Sequence, residues 1–405
     1  MAFDFDPFFR KDLPAPAVRW SGFPQYNFTG GHNNPDGIPV EELTAAMTRV
    51  LAREGRTLAT YNLESGPQGY RPLRELIAAK LGERAGIRCT AEEVLVTSGS
   101  LQALDLANAV FIAPGDTVIL EAATYGGTLT RLQRCGASWV GIGVDEEGLR
   151  TDELATALED LKGRGVRPKY IYTIPTVQNP TGTVMSRERR LELLRIAGEH
   201  NVPIFEDDCY ADLLWEGERP PAIRALDQTG GVFYCGSFSK SVAPAVRVGY
   251  MVADWPLMSR LLAMKTDAGT GALAQMVLAE FGQAHFDSHV DALRETLRVK
   301  RDAMVAALRE HFGPTARLSV PRGGIFIWVT LPDAVDTTRL AEAALAEGVA
   351  INPGAEWTAD PESGRHSLRL CFGNPSLDTI REGVARLAKV CQQEFPAIAQ
   401  VPTPA

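Results

Sequence analysis

Between about residue 92 and residue 250 the chain alternates short apolar runs with stretches of helical periodicity, and this alternation restricts its fold more than any other feature. An apolar run too short for a helix is best buried on both faces as a strand, and a helix then carries the chain back across the sheet. Repetition of that unit builds a mainly parallel sheet. The clearest runs are Val94 to Val96, Val118 to Leu120, Tyr170 to Ile174, Pro203 to Phe205 and Val232 to Tyr234. Open sheets of this kind place ligands at the carboxyl ends of their strands. Those ends read Thr97-Ser98-Gly99-Ser100, Glu121-Ala122-Ala123-Thr124-Tyr125, Gln178-Asn179-Pro180-Thr181-Gly182, Glu206-Asp207-Asp208-Cys209-Tyr210 and Gly236-Ser237-Phe238-Ser239-Lys240. Polar and aromatic chemistry therefore collects on one rim.

Further along, residues from Phe286 to Phe312 carry a long amphipathic helix pattern, with Leu293, Leu297, Met304 and Leu308 at helical spacings. A strand is expected in Gly323 to Val329, a helix from Thr338 to Glu347, a strand from His366 to Phe372 and a last helix from Leu377 to Glu394. These elements suggest a second, smaller α+β domain that the N-terminal segment joins. The expected divisions are residues 1–45 for that segment, 46–290 for the large domain and 291–405 for the small one.

With 405 residues the chain buries a large core without disulfide staples. Its formal net charge of -9 leaves no basic footprint for a phosphate backbone or an anionic membrane, so neither is an expected partner. The six cysteines include no C-x-x-C pair, which disfavours a disulfide framework and a zinc site; no metal is expected. The N-terminus carries acid where a signal peptide carries base, and no apolar run approaches the roughly 18 residues of a membrane span. A cytoplasmic location is the expectation.

Read singly, the rim residues leave their roles open. Ser98-Gly99-Ser100 lies between a strand and a helix, where backbone N–H groups and the helix dipole converge on any phosphate, but a tight βα turn wants the same residues. Asp207 and Asp208 end an apolar strand, where a carboxylate is costly unless paired. The bland reading is a solvated strand end. Asn179 can simply cap its turn, and Tyr125 can be core. Lys240, just past a buried strand, is placed to be desolvated, which lowers its pKa and suits a nucleophile or imine former; alternatively it snorkels to the surface. Arg247 adds a cation to an anion site or is ordinary surface. Ser237-x-x-Lys240 also fits the S-x-x-K of serine β-lactamases, but the S-D-N and K-T-G strings that accompany it there do not occur.

Taken together, the five rim segments resemble, in order and spacing, the fold-type I pyridoxal-phosphate (PLP) enzymes. The stretch Tyr61 to Arg74 (Y-N-L-E-S-G-P-Q-G-Y-R-P-L-R) narrows the resemblance to class I aminotransferases of the 2-aminoadipate and kynurenine type, from Phe28 to the C-terminal helix. The fold this implies is α/β: a large domain with a mainly parallel seven-stranded sheet flanked by helices, plus a smaller α+β domain. The cofactor it implies is pyridoxal 5′-phosphate. Carried over, the resemblance makes Lys240 the lysine joined to the cofactor, and pairs Asp207 with the pyridinium nitrogen. Asn179 and Tyr210 then bond the ring hydroxyl, and Tyr125 stacks on the ring face. The phosphate falls to Ser98, Gly99, Ser100, Leu101, Ser237, Ser239 and Arg247, joined by Tyr61 from a neighbouring subunit, which implies a homodimer. Arg369 clamps the substrate α-carboxylate, with Asn179, Gly31 and His32 also at the substrate. The implied reaction moves an α-amino group from an L-amino acid to a 2-oxo acid, 2-oxoglutarate first, by a ping-pong mechanism.

The chain departs from the family pattern at several points. The usual F-x-G-G-x-P is Phe28-Thr29-Gly30-Gly31-His32-Asn33 here, so His32 and Asn33 give an altered pocket. Leu101 stands where relatives often carry Gln, leaving its backbone alone for the phosphate. Cys209 replaces the small residue that usually backs the pyridine ring. A lyase or decarboxylase on the same fold is the enzymatic alternative. A transcription regulator is the other, disfavoured because the resemblance starts near Phe28 and the charge is acidic.

Overall fold

The apolar runs become neighbouring strands because each offers one side chain in two to either face of a sheet. The computed structural model describes residues 3–11 and 13–396; residues 1, 2, 12 and 397–405 of the expected outer segments lie outside the described residues. Seven strands, β1 (Val94–Thr97), β2 (Thr117–Glu121), β3 (Ser138–Ile142), β4 (Ile171–Thr173), β5 (Ile204–Asp207), β6 (Val232–Ser237) and β7 (Gly249–Val252), form one sheet in the order β1-β7-β6-β5-β4-β2-β3. Neighbours are parallel except at β7, which runs antiparallel to both β1 and β6.

Alternation then sorts the core into layers. Ile171, Ile204 and Val232 face a cluster built with the helices Thr151–Gly163 and Arg187–Glu199. Their successors Tyr172, Phe205 and Phe233 face the opposite cluster, with the helix Ser100–Phe111. Phe205 and Phe233 stack there at 4.6 Å. Burying one such ring contributes about 2–3 kcal/mol. Helices on both faces leave the strand ends as the open edge.

A second sheet of four antiparallel strands is formed by Arg317–Ser319, Phe326–Thr330, Ser367–Cys371 and Asn352–Pro353. The helices Thr337–Ala346 and Leu377–Glu394 contribute Leu340, Val384 and Leu387 to its core. Tyr26–Asn27 pairs in parallel with Val349–Ala350, and Phe28 is fully buried in the same core. The expected divisions fall inside helices. In Val40–Glu54, Ala46 and Val50 bury against the large core. In Ala272–Phe312 the residues from Met276 to Val290 belong to the large core and those from Leu293 to Leu308 to the small one.

Two strands and one long stretch of helix go beyond the sequence pattern. β3 lies at the sheet edge and is only partly buried, so it lacks the apolar run of a central strand. β7 returns antiparallel after the rim loop of β6, with only the short 3-10 turn Pro244–Val246 and no α-helix between to mark it. The long helix begins at Ala272, earlier than Phe286, because its first turns bury Met276, Val277, Leu278, Ala279 and Phe281 on nearly all sides. A helix buried all round shows no amphipathic period. Among the described residues, no helix is long and apolar enough to cross a membrane.

Candidate active site

The carboxyl ends of β1, β5 and β6 meet the second sheet around a cavity of about 260 Å³. Ser100, Leu101, Tyr125, Asn179, Asp207, Tyr210, Ser237, Ser239, Lys240, Arg247, Gly31 and Arg369 all line it, although they come from distant parts of the chain. Cys209, Gly30, Ile174, Phe326, Asn352 and Trp357 complete the wall.

One end of the cavity is a cradle for an anion. β1 turns through Gly99, at φ 77°, into the helix that starts at Ser100 and has no side-chain cap. Its first N–H groups are therefore left for a ligand. Arg247, itself left-handed at φ 52°, sends Nη2 to the Ser98 carbonyl at 3.0 Å and Nη1 to the Pro244 carbonyl at 3.2 Å. Nη1 also approaches Ser239 Oγ at 3.4 Å. A Cβ on Gly99 would run into the Arg247 guanidinium, and one on Gly249 would sit 2.7 Å from the Ser100 nitrogen. Only glycines allow this approach. Ser98 and Gly99 build the turn without lining the cavity, and Gln102 Oε1 takes the Ser98 N–H at 2.7 Å.

At the cavity floor, Tyr172 Oη donates to Asp207 Oδ2 at 2.7 Å, while Asp207 Oδ1 is buried with no partner. Burial raises the Asp207 pKa, and donors on Cys209 and Tyr172 oppose the rise. A buried acceptor left unmade costs about 1–3 kcal/mol. The orphaned oxygen thus calls for a donor or cation in the cavity. Asp208 faces elsewhere, accepting from Arg219 Nη2 at 2.7 Å and Tyr234 Oη at 3.1 Å. Its Oδ1 is also buried without a partner, but Asp208 does not line the cavity, so its charge is structural.

Lys240 follows β6 and donates from Nζ to the Gly31 carbonyl at 2.7 Å. Burial lowers its pKa to about 8, so near pH 7 its neutral amine is roughly 300-fold more populated than in a free lysine. Asn33 holds the lysine's backbone, with Nδ2 donating to the carbonyls of Lys240 and Val242, each at 3.2 Å. A Cβ on Gly31 would lie 2.6 Å from Lys240 Nζ, so a larger residue there would displace the lysine's amine.

Arg369 rises from the small sheet between two rings, its Cζ 3.8 Å from the Phe326 centroid and 3.4 Å from that of Trp357. Nη1 donates to Asn179 Oδ1 at 3.0 Å, and Nη2 to Asn352 Oδ1 at 2.8 Å and the Gly30 carbonyl at 3.1 Å. Nε is buried without a partner. Burial lowers its pKa to about 10, which leaves it cationic at neutral pH. Asn179 in turn donates toward Tyr210 Oη at 3.4 Å. The loop bearing Asn179 is tied down by Glu121, which accepts from Gln178 Nε2 at 2.9 Å and Thr173 Oγ1 at 2.6 Å. Burial pushes the Glu121 carboxyl up to about 7.

Two expected residues stand apart. Tyr61 is 82% exposed and outside the cavity of its own chain. His32 turns its ring to Phe23, edge-on at 5.5 Å, and does not line the cavity. Tyr125 lines it but is tilted 45° to Trp357 at 5.8 Å. Sequence reasoning missed Asn352, Phe326, Trp357 and Glu121. Glu121 had a usable signal, a carboxylate ending an apolar strand, whereas Trp357 and Asn352 reach the site only through the second sheet.

The donor set suits a phosphorylated, ring-nitrogen aldehyde: an anion cradle, a lone buried carboxylate oxygen and a partly neutral amine on one cavity. Comparison with known proteins agrees. Residues 25–387 match the family described as aminotransferase class I and II. The chain is 35% identical over 372 residues to an aromatic-amino-acid aminotransferase of Thermococcus litoralis, covering 91% of this chain and 88% of that protein. The kynurenine aminotransferase of Pyrococcus horikoshii, solved with PMP and KYN as substrates and KYA as products, superposes with a TM-score of 0.90 at 34% identity, covering 97% of this chain and 98% of that one. The α-aminoadipate aminotransferase of Thermus thermophilus, complexed with N-(5′-phosphopyridoxyl)-L-leucine, gives 0.83 at 34% identity, over 92% and 93%.

Proposed function

The chain belongs to the class I and II aminotransferases, and from that premise we propose that it moves the α-amino group of an L-amino acid to 2-oxoglutarate in two half-reactions at the one cavity. It is an aminotransferase of amino acids, and its cofactor is pyridoxal 5′-phosphate. When bound, the cofactor supplies an aldehyde that takes up the amino group and a protonated ring that draws electrons from the substrate Cα. The observation that carries the assignment of residues is the buried, unpartnered Asp207 Oδ1 on the same cavity as Lys240 and Arg369.

Asp207 holds the proton on the ring nitrogen, since a buried carboxylate favours a cationic partner. Lys240, its amine partly neutral, would hold the cofactor, and its free amine would be placed to take a proton from the substrate Cα and return it. Asn179 and Tyr210 hydrogen-bond the ring hydroxyl, and Tyr125 walls the ring. Ser100 and Leu101 N–H groups, Ser237, Ser239 and Arg247 hold the phosphate. Ser98 and Gly99 shape the turn that aims them.

Arg369 clamps the α-carboxylate. Flanking rings fix its plane, and the free Nε completes a two-pronged contact that a point charge cannot make. Donor and acceptor bring the same carboxylate beside the reacting carbon, so one arginine serves both half-reactions. Gly31 leaves room for Lys240, and His32 and Phe23 shape the approach. A second copy completes the site through Tyr61. In support, Phe5, Phe8, Trp20, Phe23, Leu58 and Tyr61 are large apolar side chains that are each exposed, and surplus exposed apolar surface marks interfaces.

The test follows the visible absorbance of the lysine-bound cofactor in purified, PLP-loaded protein. An L-amino acid donor should bleach it and 2-oxoglutarate should restore it, while Lys240→Ala should show neither change. Restoration by another 2-oxo acid but not by 2-oxoglutarate would refute the proposed acceptor.

A further inference from the structure

Two thiols stand beside Asp207 and take no part in amino transfer. Asp207 ends β5 in register with Cys235 on the adjacent parallel strand β6, and register partners point to the same face of a sheet. Cys209 follows Asp207 by two residues and lines the cavity. One carboxylate oxygen and two sulfur atoms consequently lie within 4.8 Å of one another. Both cysteines are free, Cys235 is fully buried, and Asp207 is only 5% exposed with Oδ1 unpartnered.

That set is chemically selective. Tetrahedral zinc, with Zn–S about 2.3 Å and Zn–O about 2.1 Å, spaces its ligand atoms about 3.5–3.8 Å apart. The ligand atoms, within 4.8 Å of one another, need to come only about 1 Å closer to reach those distances. Two sulfurs and one oxygen suit zinc, whereas magnesium and calcium demand oxygen ligands. Asp207 and Cys209 both line the cavity, from which a water can supply a fourth ligand.

We propose that Asp207, Cys209 and Cys235 bind one thiophilic divalent cation, Zn²⁺ in the first instance, when the chain lacks its cofactor, with a cavity water as fourth ligand. Binding forms two metal–sulfur bonds and one metal–oxygen bond and breaks two S–H bonds, whose protons pass to the buffer. No electron changes hands. Metal and protonated ring nitrogen would set two positive charges against one buried carboxylate, and their repulsion in that low-dielectric site makes cation and PLP exclude one another. That exclusion rests on the cofactor role proposed for Asp207; the cation site does not.

Cobalt(II) is the probe, because its absorbance reports thiolate ligation. Anaerobic titration of the full cofactor-free chain with Co²⁺ should saturate at one ion per chain, with sulfur-to-cobalt charge transfer in the near ultraviolet and the strong visible bands of a tetrahedral site. Zn²⁺ should displace it. Cys209→Ser and Cys235→Ala should each weaken binding more than about tenfold, and Cys135→Ser, on a thiol away from the cavity, should not. Circular dichroism shows which variants are folded. No charge-transfer band in folded wild-type protein, or its persistence in folded Cys209→Ser, overturns the site whether or not PLP binds. Loading with PLP first should abolish the cobalt bands. Undiminished bands in protein that retains PLP overturn the exclusion, and cobalt uptake by a chain that never takes up PLP supports the cation site while refuting the cofactor role.

Discussion

Replacing Arg369 by lysine keeps the charge and removes the planar fork, which makes it the sharpest test of how substrate is held. In the structure the guanidinium is already committed through Nη1 to Asn179 at 3.0 Å and through Nη2 to Asn352 at 2.8 Å. It is kept flat by Phe326 and Trp357, and its Nε is buried and free. An ammonium in that slot can meet one carboxylate oxygen but cannot also retain both amide contacts. One charge-assisted hydrogen bond is worth about 1.5–3 kcal/mol. At about 1.36 kcal/mol per decade, Arg369→Lys should lower kcat/KM for an amino-acid donor by about 10- to 150-fold. The loss should appear mainly in KM if the clamp holds ground and transition states alike. Steady-state kinetics over a donor series measures this, with the visible cofactor absorbance checking that PLP remains bound. Kinetics within threefold of wild type, or loss of PLP with donor affinity intact, would refute the assigned role.

Three further outcomes are expected. Asp207→Asn should retain the fold and lower the rate of donor half-reaction by about 10²- to 10⁴-fold, read by stopped-flow absorbance; an unchanged rate contradicts its role on the ring nitrogen. In cofactor-free protein Lys240 has a folded pKa of about 8, below the unfolded value of about 10.5, so the native state binds fewer protons between those values and stability should rise with pH across that window. Lys240→Met should remove that rise and stabilise the cofactor-free protein at pH 7 by at most about 3 kcal/mol, measured by urea unfolding at several pH values. Gly99→Ala, which sets a Cβ against Arg247 in a left-handed backbone, should weaken PLP binding by about tenfold or more, equivalent to at least about 1.4 kcal/mol, in a fluorescence titration.

How much of this the chain discloses in advance depends on where each residue's partners lie. Lys240, Asp207 and Asn179 are legible as rim residues because each follows an apolar run, so the strand that positions it is written beside it; their roles come only through resemblance. Arg369 is legible only through resemblance, since nothing in Leu368-Arg369-Leu370 says that Asn179, 190 residues away, will accept its hydrogen bond. Trp357 and Asn352 are silent for the same reason; the edge strand β3 is silent for want of an apolar run, and the buried start of the long helix for want of an amphipathic period. Asp207 and Asp208 look alike in sequence. Only the fold shows that Arg219 pairs with Asp208 Oδ2 away from the cavity, while Asp207 lines it. The cation cluster is likewise hidden, because Cys235 and Asp207 become neighbours through strand register alone.

The central claim is that PLP joins the chain at Lys240 over Asp207. Borohydride reduction of the PLP-loaded protein, followed by proteolysis and peptide mass mapping, tests it directly. A phosphopyridoxyl group is expected on the peptide containing Lys240 and on no other lysine. A label on a different lysine, or an unmodified Lys240 in protein that carries stoichiometric cofactor, would contradict it.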